Sequence, residues 1–406
     1  MPEPRWQPGS AEAALIHAAR IFDPDPRPLS GPTSSAAQWR RFIELGELHR
    51  VLPAAWLGAR VQGRAIGEPP ADVESRWSDA WARARSRAEV QGAALRSLLR
   101  ALHDAELRCP LISGELMAYA RYPDPAARPF GDFDLLVGDS DMRRVAAVLE
   151  QLGYVQGFAA GGAIRRPSRR ERMFARMFMK HPVAWVRYVD DELFVVEPHS
   201  TIFWRRRDGT PAFAMPMAEL LERAEPLTIG DAPAWRLSNE DQLLYQCIDV
   251  YEDARRIWKI RSGEDLQLIR LLDCVASLRA GVDWSVFVER VRRWGLQLPI
   301  YATLSWLLDA GLVELGAALP AEVLEATTPD SPEEVDAIGF PEELREGATL
   351  GHVRRFAERL FALDHRRALL DSDPAITQTV TLDRLEALAK SELGEPIDEG
   401  ETECRS

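Results

Sequence analysis

The chain has 406 residues and a formal net charge of −13, and 46% of its residues are hydrophobic and 28% charged. This is an ordinary globular composition, and the acidic balance argues against an extended nucleic-acid partner, which needs clustered Lys and Arg to neutralise phosphates. With no run of the roughly 20 apolar residues that a bilayer span needs, and no signal-peptide pattern at the N-terminus, the sequence predicts a cytoplasmic protein without a membrane partner.

The first quarter of the chain is predicted to be helical. Residues 1–33 form a mixed segment in which a short helical pattern over 11–22 precedes a Pro-rich stretch. Residues 34–105 form a helical lead-in, because apolar residues recur at helical spacing over 34–61 and again in a long Ala- and Arg-rich helix over 71–105. The Trp and Leu stripes of these helices are assigned to the core.

The pattern changes near residue 106, and residues 106–235 are predicted to form a small α/β core. A strand over 107–112 ends at the turn Ser113-Gly114, and a short helix over 116–121 follows. Further elements are predicted as strands over 132–137, from 153, over 183–189 and over 192–197, with a helix over 142–152. The last two strands flank Asp190-Asp191 and indicate a hairpin.

Helical periodicity returns after residue 236. The sequence predicts a C-terminal helical domain over 236–328, with helices beginning near 239, 266, 284 and 300. A helical extension and an acidic, partly disordered tail fill 329–406. The predicted fold class is therefore α+β, with a small sheet core flanked by N-terminal and C-terminal helical regions.

Cysteines and arginine clusters carry little specific signal. None of the four cysteines lies in a C-x-x-C pair, so neither a zinc knuckle nor a redox motif is indicated, and three of them have the apolar surroundings of core residues. Arginines cluster at 165–166, 169–172 and 205–207. A solvated face is the favoured interpretation, and a local patch that holds a nucleotide's phosphates is the alternative.

The segment Gly131-Asp132-Phe133-Asp134 carries the main chemical signal. Residues i and i+2 of a strand point to the same face, so Asp132 and Asp134 lie side by side. Two such carboxylates repel each other, and a hard divalent cation such as Mg²⁺ relieves the repulsion. The alternative is that one Asp caps the following turn and the other is an exposed strand end.

Two other features give the Asp pair its context. Ser113-Gly114 ends the preceding strand, and a glycine there allows a phosphate to approach the backbone, although the same turn serves any strand-to-helix connection. Glu197 closes the apolar strand of the predicted hairpin, where it completes a carboxylate triad or stands as an ordinary edge residue. The glycine turn, the Asp pair and the later strand carboxylate, in this order, are together more specific than any one of them.

The sequence here resembles a known family. LISG at 111–114, YPDP at 122–125 and RPFGDFDLLV at 128–137 are similar to the signature of the bacterial uncharacterised nucleotidyltransferases of the polymerase-β-like superfamily. The resemblance continues at Gly153-Tyr154, Lys180-His181 and Glu197-Pro198-His199, and it covers about 35–320.

The resemblance implies a nucleotidyltransferase that moves a nucleoside monophosphate from an NTP to a small-molecule, peptide or protein acceptor. It implies two Mg²⁺ ions, with Mn²⁺ as an alternative, held by three catalytic carboxylates. These metal ligands are Asp132, Asp134 and Glu197, and Glu197 also helps to deprotonate the acceptor. The residues implied to face the nucleotide's phosphates are Ser113, Gly114, Arg128 and Lys180, with loop fixation as the other role of Arg128.

Departures from the family pattern leave a second hypothesis open. Ser113 stands where the family more often has Lys, and Glu115 places a carboxylate near the expected triphosphate unless Arg128 or Lys180 pairs with it. These changes favour a catalytically weak or inactive protein that acts as a binding or scaffold partner in a biosynthetic pathway. Four further residues are left open or without chemistry. His199 orients Glu197, contacts substrate or is structural; Lys180-His181 is a phosphate contact or an exposed pair; Asp273 contacts a backbone group or an Arg.

Overall fold

The structure is a computed structural model that describes residues 7, 9–23, 35–160, 162–189, 192–202, 213, 215–340 and 356–362. The predicted acidic tail, the hairpin turn at 190–191 and the arginines at 205–207 lie outside these residues, as does most of the helix predicted over 352–370.

The N-terminal region is helical, as predicted. Its helices are α1 (Ala11–Ala19), α2 (Ala36–Leu48), α3 (Leu52–Trp56) and α4 (Ala71–Asp104), with a π-helical turn at Leu57–Val61. Ser10 and Ser35 cap the first two, because each hydroxyl accepts a hydrogen bond from the backbone N–H three residues on. Trp77 of α4 is fully buried and donates from Nε1 to the carbonyl of Leu52 at 2.9 Å, which confirms its place in the core.

A mixed seven-stranded sheet forms the middle of the described chain. The strands are β1 (Pro110–Leu111), β2 (Phe133–Leu136), β3 (Val155–Gln156), β4 (Phe158–Ala160), β5 (Ala163–Arg165), β6 (Trp185–Val189), β7 (Glu192–His199), β8 (Glu225–Ile229) and β9 (Ala232–Arg236). The order in the sheet is β3-β6-β7-β2-β1-β9-β8, and β4 and β5 pair separately. The β2–β7 and β1–β9 pairs are parallel, and the other pairs are antiparallel.

The predicted strands are confirmed, with shorter bounds at β1 and β2. The antiparallel pairing of β6 with β7 confirms the predicted hairpin. The hairpin of β8 with β9 was not predicted, because Pro226 and Pro233 interrupt the alternation that marks a strand. It extends the sheet beyond β1.

Four shorter helices lie within the sheet region of the described chain: α5 (Gly114–Ala120), α6 (Met142–Gln151), α7 (Arg169–Phe178) and α8 (Met217–Glu222). A capping box between Ser168 and Glu171 begins α7. Arg165 pairs with Glu171 at 2.7 Å, with a side chain 54% exposed, so this part of the basic cluster lies on a solvated face.

The C-terminal region is again helical. Its helices are α9 (Asn239–Arg255), α10 (Ile257–Ser262), α11 (Leu268–Leu278), α12 (Trp284–Arg293), α13 (Gln297–Asp309), α14 (Ala321–Ala326) and α15 (Phe356–Leu360). Ser238 caps α9 and Asp283 caps α12. Within the described ranges, no helix is long and apolar enough to cross a membrane.

The two faces of the sheet contact different cores. Leu135 and Val137 pack with the C-terminal half of α4 and with α6, whereas Ile112 and Leu136 belong to a larger core built from the N-terminal and C-terminal helices. The two helical regions thus share one core on one side of the sheet, which confirms the α+β class with flanking helices. Because side chains alternate along a strand, Asp134 shares the face of Leu136 and points toward this helical side. The predicted domain boundaries stay a prediction.

Candidate active site

Parallel pairing of β2 with β7 brings the central carboxylates together. Asp134 lies opposite Glu197 in the ladder, and Leu136 lies opposite His199. The strand β7 continues through Pro198, although proline has no backbone N–H to donate. This costs no hydrogen bond to β6, because β6 pairs with β7 only as far as Val196. One ligand atom from each of Asp134, Glu197 and His199 lies within 4.8 Å of the others, which makes this group a possible metal site.

Asp134 is held as a carboxylate by its neighbours. It is 7% exposed, and Nε2 of His199 donates to its Oδ1 at 2.8 Å. Burial by itself would raise the pKa of Asp134, but the hydrogen bond and charge of His199, together with the Ser113 hydroxyl, hold that pKa below its usual range. The other ring nitrogen of His199, Nδ1, is buried and has no hydrogen-bond partner among the described residues.

Glu197 is paired with a second histidine, His181. Nε2 of His181 lies 2.9 Å from Oε2 of Glu197, and Nδ1 lies 2.6 Å from the carbonyl oxygen of Pro182. Both ring nitrogens therefore face acceptors, which favours the doubly protonated imidazolium. Burial opposes that charge, but the hydrogen bond and charge of Glu197 outweigh burial and raise the pKa of His181. The alternative of an exposed Lys180-His181 pair is wrong, since the His181 side chain is only 14% exposed.

Asp132 lies one residue before β2 and is half-buried. Burial and the negative charges of Asp134 and Glu197 raise the pKa of Asp132 to about 7, against the opposing charges of Arg270 and Arg50. At neutral pH this group is thus close to half-protonated, because full ionisation of three neighbouring carboxylates is costly without a cation. Its side chain is not part of the close group formed by Asp134 and its two partners.

The turn at Ser113-Gly114 is built for close packing. A Cβ on Gly114 would lie 2.7 Å from Cβ of Phe130 and 3.1 Å from Nη1 of Arg128, so a glycine is required there whether or not a phosphate binds. Glu115, the next residue, is fully buried. Its Oε1 accepts from the backbone N–H groups of Ile112 and Ser113, each at 3.3 Å.

The charge of Glu115 is suppressed by its surroundings. Burial, followed by the charge of Asp134, raises the pKa of Glu115 well above its usual range, which favours the neutral, protonated side chain. The described residues place neither Arg128 nor Lys180 against it, because each of those cations has other partners. The predicted repulsion between this residue and a triphosphate is thus removed by protonation and not by an ion pair.

Arg128 fixes the loop before β2. Its Nε and Nη2 donate to Oδ1 and Oδ2 of Asp273 at 2.8 and 2.6 Å, and the guanidinium is buried with a side chain 4% exposed. The Tyr122 hydroxyl donates to the same carboxylate at 2.9 Å. The predicted contact between Asp273 and an arginine is confirmed, and the loop-fixing role of Arg128 is the one that its geometry supports. Phosphate binding by Arg128 stays a prediction.

Lys180 is tied to α9. Its Nζ lies 2.9 Å from both Oδ1 of Asp249 and Oε2 of Glu252. Asp249 also accepts from Arg270 of α11 at 2.5 Å. These ion pairs fix the segment that carries His181, next to Lys180, against the helical side of the site. The acidic residues on one face of α9 are the sequence signal for these ion pairs. A phosphate contact by Lys180 stays a prediction.

The comparison with known families agrees with this geometry. The family described as uncharacterised nucleotidyltransferase matches residues 35–307, which is well over half of the chain. The chain belongs to this family. The matched range contains the whole site from Ser113 to Asp273, and family membership points to a transferase that uses an NTP. No curated protein matches the chain.

The donor set of this family member fits a metal ion. Two carboxylates and an imidazole within 4.8 Å of one another offer oxygen and nitrogen ligands. Burial, followed by the charges of Asp134 and Glu197, raises the pKa of the neighbouring Asp132, and a cation bound between these carboxylates would oppose that rise. His199 would have to release the Nε2 proton that it now donates to Asp134 before it could bind an ion.

Proposed function

We propose that this protein is an Mg²⁺-dependent nucleotidyltransferase that transfers a nucleoside monophosphate from an NTP to a small-molecule, peptide or protein acceptor. The observation that carries the proposal is the parallel β2–β7 pairing, which sets Asp134 opposite Glu197 on the sheet face that meets the helices. Asp132 lies just before the same strand, and its raised pKa reports the electrostatic strain that a cation would relieve.

Asp132, Asp134 and Glu197 are proposed to hold two Mg²⁺ ions, or Mn²⁺ in their place. When bound, such ions activate an attacking hydroxyl and stabilise a leaving pyrophosphate. His199 and His181 orient Asp134 and Glu197 through the hydrogen bonds described above. These contacts fix the carboxylates before substrate arrives, which lowers the reorganisation needed during the reaction.

The chemistry assigned to the chain is an in-line substitution. The acceptor oxygen forms a bond to the α-phosphorus, the bond from that phosphorus to the bridging oxygen breaks, and pyrophosphate leaves. Glu197 is the proposed acceptor of the proton that the attacking hydroxyl loses. Ser113 and Gly114 stay the proposed neighbours of the phosphates, while Arg128 and Lys180 shape the site through Asp273 and Asp249. Membership of the polymerase-β-like superfamily and a cytoplasmic location belong to the same proposal.

A second candidate is a weak or inactive family member that binds a partner in a biosynthetic pathway. Its support is that Arg128 and Lys180, two of the predicted phosphate contacts, are neutralised within the protein. Against it stands the group formed by Asp134, Glu197 and His199, whose ligand atoms lie within 4.8 Å of one another, with the carboxylate of Asp132 nearby.

Thermal melting with metal and nucleotide separates the two candidates. Mg²⁺ or Mn²⁺ with the matching NTP at a hundred times its Kd should add about 2.7 kcal/mol to the stability of the folded protein. Asp134→Asn should lose that gain, whereas Asp139→Asn, a change at an exposed aspartate beyond β2, should keep it.

Pyrophosphate release then tests catalysis. Release that depends on Asp134 supports transfer, and mass spectrometry after incubation with a nucleotide labelled at the α-phosphate identifies the acceptor. Binding without release under any acceptor mixture supports the scaffold. The proposal is wrong if no metal–NTP pair raises the melting temperature and Asp134→Asn behaves like Asp139→Asn.

A further inference from the structure

Two helix ends of the described chain place a side chain where the backbone favours glycine. Arg50 and Glu106 are the residues other than glycine with positive φ, at 58° and 54°. At position 50 the N–H of Arg50 donates to the Glu47 carbonyl, and that of Val51 donates to the Gly46 carbonyl, at 3.1 and 2.9 Å. This pair of bonds is the Schellman termination of a helix, in which glycine normally takes the left-handed position.

The same termination occurs with glycine elsewhere in this chain. The helices α6, α10, α12 and α13 end with equivalent pairs of bonds, and the left-handed residues there are Gly153, Gly263, Gly295 and Gly311. An L-residue in this conformation is strained because its Cβ approaches the carbonyl oxygen. At position 50 the protein thus carries a strained arginine in a turn that glycine would fit without strain, and strain of this kind is typical of functional positions.

Contacts with α11 fix the turn that carries Arg50. The N–H of Leu268 donates to Nδ1 of His49 at 3.2 Å, and the N–H of Ile269 donates to the His49 carbonyl at 3.3 Å. The same helix, α11, holds the Arg128 partner Asp273. The turn that carries Arg50 is thereby docked on the first residues of α11, and the charge of Asp132 acts on the Arg50 guanidinium.

Arg50 differs from the neighbouring cations, because each of those is paired with a carboxylate. Arg128 is bound by Asp273, Lys180 by two carboxylates of α9, and Arg270 by Asp249. The Arg50 side chain is exposed, and no hydrogen bond or ion pair holds it within the described part of the chain. Desolvation, followed by the positive charges of Arg128 and Arg270, lowers the pKa of Arg50, and a bound anion would offset both effects.

We propose that Arg50 binds the β- and γ-phosphates of the nucleotide at the entrance of the active site. The inference rests on the proposed function and names a phosphate-binding cation that the Ser113-Gly114 turn lacks. A guanidinium suits this role because its planar donors bind two phosphate oxygens at once. Asp132, whose charge acts on Arg50, is one of the proposed metal ligands, so a nucleotide held by the metal site would bring its phosphates to the same side of the protein.

Glycine substitutions at the two strained helix ends test the proposal. Arg50→Gly and Glu106→Gly make the same backbone change, and Glu106 lies at the end of β1 away from Ser113. In the absence of metal, both variants should have a melting temperature at or above that of the wild type. Titration calorimetry with Mg²⁺–NTP should show roughly ten- to hundred-fold weaker binding for Arg50→Gly, the loss expected for a charge-assisted hydrogen bond. Glu106→Gly should bind as the wild type does, and Arg50→Lys should recover part of the affinity.

The nucleotide series identifies the phosphates concerned. Arg50→Gly should weaken Mg²⁺–NTP and Mg²⁺–pyrophosphate binding while leaving Mg²⁺–NMP binding unchanged. Full retention of NTP affinity by Arg50→Gly overturns this inference and leaves the proposed function intact, and so does an equal loss for NTP and NMP. A wild-type protein that binds no metal–nucleotide pair overturns the proposed function, and this inference with it.

Discussion

Replacing Asp132 by asparagine is expected to stabilise the metal-free protein and to abolish nucleotidyl transfer. Asp132 is half-buried, and Asp134 and Glu197 oppose its ionisation. Asparagine keeps the shape of the side chain and removes the charge, so the folded state no longer contains that repulsion. The same change removes a proposed metal ligand, and the gain in stability therefore comes with a loss of function.

The magnitude follows from proton linkage. The pKa of Asp132 is about 7 in the folded protein, against 3.8 for an unperturbed aspartate. Between these two values the folded state binds the proton and the unfolded state does not, so stability falls as pH rises through that window. About three units at 1.36 kcal/mol each give ~4 kcal/mol at pH 8, as an upper bound because Asp134 or Glu197 can shift to relieve repulsion. Below pH 4 both states are protonated, and the penalty vanishes.

Urea denaturation in EDTA from pH 4 to pH 8 measures this effect. The wild-type midpoint should fall across the range relative to that of Asp132→Asn, with the largest gap at pH 8 and convergence near pH 4. Mg²⁺–NTP at a thousand times its Kd, which adds about 4.1 kcal/mol, should close the gap at pH 8, because the wild type alone gains the full binding energy. Asp139→Asn controls for loss of an exposed carboxylate. A variant no more stable than wild type at pH 8 in EDTA would refute the electrostatic reasoning.

Three further substitutions test how the site is held together. Asp273→Ala should lower the free energy of unfolding by ~3–5 kcal/mol, because it leaves Arg128 buried without its partner, and urea denaturation should show a clearly smaller loss for Asp273→Asn. Gly114→Ala should cost ~1–3 kcal/mol by the same measurement, since its Cβ would lie 2.7 Å from that of Phe130; an unchanged midpoint would contradict the packing role. Glu115→Gln should change stability by less than ~1 kcal/mol, because burial favours the neutral form of the native side chain. A loss as large as that of Asp273→Ala would instead indicate an ionised carboxylate.

The approach of Asp134 to Glu197 could be predicted because it depends on strand geometry, whereas the third member of the close group is His199 and not Asp132. A two-residue spacing places Asp132 and Asp134 on one face, and a carboxylate at the end of a later strand meets them if the two strands are neighbours. The structure supplies that neighbour relation through the parallel pairing of β2 with β7. The helical regions were equally accessible, because the Ser238 cap marks the start of α9 and a stripe of Trp and Leu residues marks α4.

The surroundings of the carboxylates could not be predicted, because they depend on how distant segments dock. His181 reaches Glu197 only because Lys180 is bound by residues of α9 far along the chain. Arg128 looked like a phosphate contact from its place before β2, and only the packing of α11 shows its bond to Asp273. A sequence pattern fixes which side chains carry charge, whereas tertiary contacts decide which of those charges remain available to a ligand.

Glu115 shows the same distinction at the point where the sequence raised most doubt about activity. A carboxylate beside the phosphate turn is an obstacle to an NTP only if it is ionised and faces the ligand. In the folded chain it is fully buried, accepts two backbone hydrogen bonds, and lies near Asp134, which together with burial raises its pKa well above the usual range. Metal binding at Asp134 would neutralise that neighbour, yet burial, the largest cause of the raised pKa, would persist. The departure at position 115 therefore adds little negative charge beside the nucleotide. The positive charge proposed to meet the phosphates lies on the exposed side chain of Arg50.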